Sequence, residues 1–100
     1  MNAVPWLRVA APYRDEEIEQ LKRAGYTELR SMLGSAPLRV SEVLESIGCS
    51  AIRMVAEDKR KALTVTVCVV GPDTRSMSTD GFKITPRGKI TPLYTDEYDD

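Results

Sequence analysis

One hundred residues suffice for one domain with one core and leave little room for a second. Apolar residues make up 42% of the chain and charged residues 29%, which excludes a disordered polyelectrolyte; no apolar run approaches the ~20 residues a membrane-spanning helix needs. The formal charge of -1 hides a gradient, because Asp96, Glu97, Asp99 and Asp100 crowd the C-terminal end and leave the preceding residues mildly basic.

The N-terminus carries no leader pattern, and two cysteines, Cys49 and Cys68, make no disulfide framework. Both facts lead to the expectation of a cytoplasmic protein with reduced thiols. A single Cys49–Cys68 bridge is the alternative if the two side chains face one another.

Residues 1–13 contain a short apolar stretch around Trp6, Leu7 and Val9, bounded by Pro5 and Pro12. Leu7 and Val9 are expected in a short edge strand, with Trp6 packed across the outside of the core or anchoring a partner. Asp15 to Ala24 reads as a helix. Its acidic residues lead, Lys22 and Arg23 follow, and Gly25 is placed to close it. A second short helix is expected over Thr27–Leu33. A third is expected within Ala36–Ile47, where Val40, Val43, Leu44 and Ile47 recur at helical spacing and either Ser35 or Ser41 can cap.

The stretch from Ile52 to Val70 reads as a hairpin, with Glu57-Asp58-Lys59-Arg60-Lys61 as its link. Period-two alternation puts Leu63, Val65, Val67 and Val69 on a core face and Thr64, Thr66 and Cys68 on the other. Arg53 is expected on that second face, to which Val55 and Val70 add some apolar surface. Gly71-Pro72-Asp73 marks a turn, and 74–81 reads as a loose polar segment. Phe82 and Ile84 then alternate with Lys83 and Thr85. Pro86-Arg87-Gly88 turns the chain, and 90–93 returns as a short edge strand weakened by Pro92.

The expected fold class is therefore α+β: two or three short N-terminal helices packed on a small antiparallel β-meander of three to four strands. Residues 1–93 form a single compact domain, and 94–100 form a flexible acidic tail.

Chemistry is sparse. Histidine is absent, no metal or phosphate motif is found, and no cofactor is implied. Cys49 follows Gly48 at a helix end of the wrong polarity to stabilise a thiolate, and Cys68 lies among valines. Asp73, Asp80, Glu57 and Asp58 have no spacing that makes an acid-base pair, so an enzyme is not expected.

The first functional expectation is a non-catalytic protein-binding, regulatory or accessory module acting through a sheet edge or an exposed sheet face. Its partner is another protein or a second copy in a homodimer. Trp6, Val55, Tyr94 and Tyr98 are its candidate contacts, and no membrane or metal enters. The alternative is a nucleic-acid-binding regulator. Here Ser50–Leu63 becomes a recognition helix and 65–84 a wing, with Arg53, Lys59, Arg60 and Lys61 facing DNA and Arg75, Lys83, Arg87 and Lys89 meeting phosphates. The fragment Lys83-Ile84-Thr85-Pro86-Arg87-Gly88-Lys89 resembles the wing of some winged-helix regulators, where a strand ends in a Thr-x-x-Gly turn.

Overall fold

The structure is a computed structural model in which residues 5–93 are described. The chain runs α1 (Pro5–Arg30), β1 (Gly34–Leu38), α2 (Glu42–Ser46), β2 (Ser50–Glu57), β3 (Leu63–Val70), β4 (Met77–Ile84) and β5 (Ile90–Pro92). The strands form one antiparallel sheet in the order β1-β2-β3-β4-β5, so the fold is α+β with one long N-terminal helix and a five-stranded meander. The expected short helices and three to four strands give way to this arrangement.

The helix starts well before Asp15. Trp6, Ala10, Ile18 and Leu21 are buried, and partly buried Val9 and Tyr13 complete a stripe at helical spacing. Residues 5–14 are therefore helical, and the edge strand expected around Leu7 and Val9 does not form. Pro12 lies on the exposed side, where its missing N–H costs one intrahelical bond without ending the helix. Gly25 breaks the run at φ 85°, ψ 165°, a backbone position that strains any residue with a Cβ. The second helix expected over Thr27–Leu33 forms as the short helical segment beyond that break, and it stops at Arg30 rather than Leu33.

Two segments adopt strands that local propensity does not favour. Gly34–Leu38 is a strand although it reads Gly-Ser-Ala-Pro-Leu, because its register with β2 supplies the pairing. The helix expected within Ala36–Ile47 is thus reduced to Glu42–Ser46, with Ser41 as its cap and the Ser41 hydroxyl accepting from the Leu44 N–H at 3.3 Å. Residues 77–81, expected to be loose, form the first half of β4.

Two apolar clusters fill the space between α1 and the sheet. Ile18, Leu21 and Leu29 meet Val55, Leu63, Val65, Val67, Phe82 and Ile84 at one end. Trp6, Ala10 and Leu44 meet Cys49, Ala51 and Val69 at the other. Each fully buried valine or leucine contributes about 1.5–3 kcal/mol of transfer free energy. Trp6 lies so close to Gly71 that a Cβ there would come within 2.6 Å of its ring. Cys49 packs in the second cluster while Cys68 belongs to the opposite face of the sheet, and both are free thiols.

Candidate functional site

Strand register decides which residues face outward. The link between β2 and β3 is organised by Asp58. Its carboxylate accepts from the N–H groups of Arg60 at 2.8 Å and Ala62 at 3.0 Å, and its own N–H donates to the Ala62 carbonyl at 2.9 Å. That closure sets Glu57 opposite Leu63 and Val55 opposite Val65. Ala51, Arg53, Val55 and Glu57 consequently share the helix-covered face. Ser50, Ile52, Met54 and Ala56 point the other way.

The expected placement of Arg53 and Val55 on the outer face is therefore reversed. Val55 is 3% exposed inside the first cluster. Arg53 lies in an inner row with Ala36, Val67 and Asp80, and its Nε is buried with no hydrogen-bond partner. Trp6, at 6% exposure, is covered by its own chain. Tyr94 and Tyr98 lie outside the described residues, as does the expected tail 94–100.

No element covers the opposite face of the sheet among the described residues. The register assigns to it Ser35 and Pro37 of β1, Ser50, Ile52, Met54 and Ala56 of β2, and Thr64, Thr66, Cys68 and Val70 of β3. Met77, Thr79, Gly81 and Lys83 of β4 and Thr91 of β5 complete it. Ile52, Met54 and Met77 are 38%, 43% and 64% exposed. Lys83 is the single charged residue among these positions. The sequence signal for this face was present in Asp58, whose side chain bonds two residues ahead in the manner of an Asx turn and so fixes the register.

The edges of the sheet are short and interrupted. β1 has five residues and contains Pro37, and β5 has three and contains Pro92. A proline offers no N–H to an added strand, and short edges template pairing poorly.

Six of the eight basic residues expected to contact nucleic acid converge on one end of the sheet. Leu63, Ile84 and Ile90 form the last row there, so the β2–β3 turn with Lys59, Arg60 and Lys61 adjoins the β4–β5 turn with Arg87 and Lys89. Lys83 is one residue inside that end. Arg75 lies in the β3–β4 turn at the opposite end, and Arg53 is inside. The Thr85-x-x-Gly88 turn forms: Gly88 N–H donates to the Thr85 carbonyl at 2.8 Å, and Lys89 N–H to the Thr85 hydroxyl at 3.1 Å. Ser50–Glu57 is a strand, however, and no recognition helix exists in this region.

A groove of about 510 Å³ opens between Lys22 of α1 and the Asp80–Phe82 and Ile90–Leu93 segments. It holds one carboxylate, Asp80, whose Oδ1 accepts from the Gly81 N–H at 2.8 Å, and one ammonium, Lys22, paired with Glu19 at 3.1 Å. Among the described residues no three metal-ligating side chains cluster. Burial pushes the Cys49 thiol up, away from the thiolate a nucleophile requires. Burial, reinforced by Glu17, also raises Tyr13, whose hydroxyl donates to the Arg39 carbonyl at 2.9 Å. No helix among the described residues is long and apolar enough to cross a membrane. No family model matches this chain, and neither the curated proteins nor the solved structures contain a match to it.

Proposed function

We propose that this chain is a non-catalytic protein-interaction module whose working surface is the open face of its sheet. The observation that carries the reading is the contrast between the two faces. One is closed by α1 and α2, while the other presents Ile52, Met54 and Met77 to solvent with Lys83 as its single charged residue. Exposed apolar side chains gathered on one surface are characteristic of a protein contact. Pro37 and Pro92 at the two edges favour docking on the face over strand addition. Affinity capture from native extract, with and without nuclease, tests the reading. A stoichiometric protein partner that survives nuclease is expected; recovery of only nuclease-sensitive material contradicts it.

A second reading has one specific observation in its favour, the convergence of Lys59, Arg60, Lys61, Lys83, Arg87 and Lys89 at one end of the sheet. A basic pole of this kind suits the phosphates of a nucleic acid through backbone contacts. It ranks second because Glu57 and Asp58 lie within the same pole, with Glu57 paired to Arg30 at 2.9 Å. Binding through this pole would weaken steeply with added salt, which a titration at two ionic strengths reads directly.

A further inference from the structure

The strands flanking the centre of the open face are complementary in size. Outward positions of β2 run Ser50, Ile52, Met54 and Ala56, and the same rows of β4 run Met77, Thr79, Gly81 and Lys83. In each row the larger residue of one strand is matched by a smaller residue on the other. Between them, β3 places half-buried Val70, Thr66 and Thr64 and an already buried Cys68, all of small or middling size.

We infer that this face packs against the same face of a second copy, about a two-fold axis running along β3. The inference rests on the open-face reading and names its partner. Such an axis carries β2 of one copy over β4 of the other. Met54 then meets Gly81, Ile52 meets Thr79, and Met77 meets Ser50. The stem of Lys83 crosses Ala56 with its ammonium at the rim. Symmetry makes each contact twice. An in-plane axis at right angles to the strands would instead set Ile52 over Met54 and Thr79 over Gly81, crowding one flank and leaving a void at the other. Size complementarity therefore selects the axis along β3.

Charge and area agree with this partner. No carboxylate lies on the face, so nothing on it selects a cationic ligand. The axis places the two Lys83 residues on opposite flanks, where they do not repel. β2, β3 and β4 have eight residues each, and with the short edge strands the face measures roughly 25 by 19 Å at about 3.3 Å per residue and 4.8 Å between strands. Two such faces bury on the order of 1,000 Å², the lower bound for specific association. That area corresponds to a reversible dimer, with sheets stacked about 10 Å apart.

Sedimentation velocity of the full chain from micromolar concentrations upward, with Ile52→Lys and Thr79→Glu singly and mixed, tests the pairing. Both positions are exposed, and matching circular dichroism and thermal midpoints verify that the variants fold. The wild type is expected to show a concentration-dependent dimer, and each single variant to raise its Kd on the order of 100-fold by burying an unpaired charge. An equimolar mixture of the two variants restores the dimer, because the introduced lysine meets the introduced glutamate across the axis. A wild type that stays monomeric overturns the second copy as partner, while the open-face reading still stands on its capture experiment. A wild-type dimer that neither substitution weakens places association elsewhere and overturns the pairing through this face. Monomeric variants that stay monomeric when mixed overturn the axis along β3.

Discussion

Arg53 is half-buried on the helix-covered face with its Nε buried and unpartnered, an arrangement that costs about 1–3 kcal/mol of uncompensated desolvation. Arg53→Met keeps much of the stem and removes the unpaired group. It is expected to raise stability by about 1 kcal/mol in denaturant unfolding. A loss of stability would show that the guanidinium makes a compensating interaction in solution. Asp73 illustrates the opposite case. Its carboxylate accepts from the Ser76 and Arg75 N–H groups, each at 3.0 Å, and from the Ser76 hydroxyl at 3.1 Å, which holds its pKa below the usual carboxylate value. A depressed native pKa stabilises the fold above the unfolded-state value near 3.8, and the contribution disappears as pH falls through the native value. Wild type should therefore exceed Asp73→Asn in stability at neutral pH, with the gap closing in acid. A gap that is constant with pH would contradict this origin.

At the scale of elements, α1 depends on its first turns being fastened. Trp6 fills the second cluster and abuts Gly71. Trp6→Ala should cost about 3–5 kcal/mol, read as a lowered denaturant midpoint. Gly81 is equally constrained, since a Cβ there would run into the Val65 carbonyl oxygen. Gly81→Ala should cost about 1–3 kcal/mol as β3 and β4 shift apart. The elements with strong local patterns were legible in the sequence: the β2–β3 hairpin from its valine alternation, residues 15–24 of α1 from their charge order, and the break at Gly25. The missed elements owe their state to long-range pairing. β1 has no strand propensity of its own and exists through β2. The first half of β4 reads as loop because its inward Ser78 is polar, yet Ser78 is satisfied by the Arg14 guanidinium across from it. Pro5 and Pro12 disguised the start of α1, where burial of Trp6 and Ala10 outweighs one lost hydrogen bond. The candidate face was legible in its β3 members Thr64, Thr66, Cys68 and Val70 but not in its β2 members, where Ile52 and Met54 stand in place of the expected Arg53 and Val55. Its identity turned on a single residue of register, which Asp58 sets and strand alternation alone does not.

For the whole molecule, the architecture separates three surfaces: a face closed by helices, an open and nearly uncharged face, and a basic pole built from two adjacent turns. The two functional readings fall on different surfaces, and their residues do not overlap apart from Lys83. Substitutions on one are thus silent for the other. Met54→Lys puts a charge at the centre of the open face, at a position 43% exposed, without touching the core. Reversing Lys59, Arg60 and Lys61 to glutamate changes only the exposed β2–β3 turn. The mass of the native complex by light scattering, compared among the wild type, Met54→Lys and the triple charge reversal, decides between the two surfaces. The open-face account predicts that Met54→Lys reduces the complex to the free chain while the charge reversal leaves it intact. A complex that survives Met54→Lys and is lost on charge reversal would contradict it and move function to the basic pole.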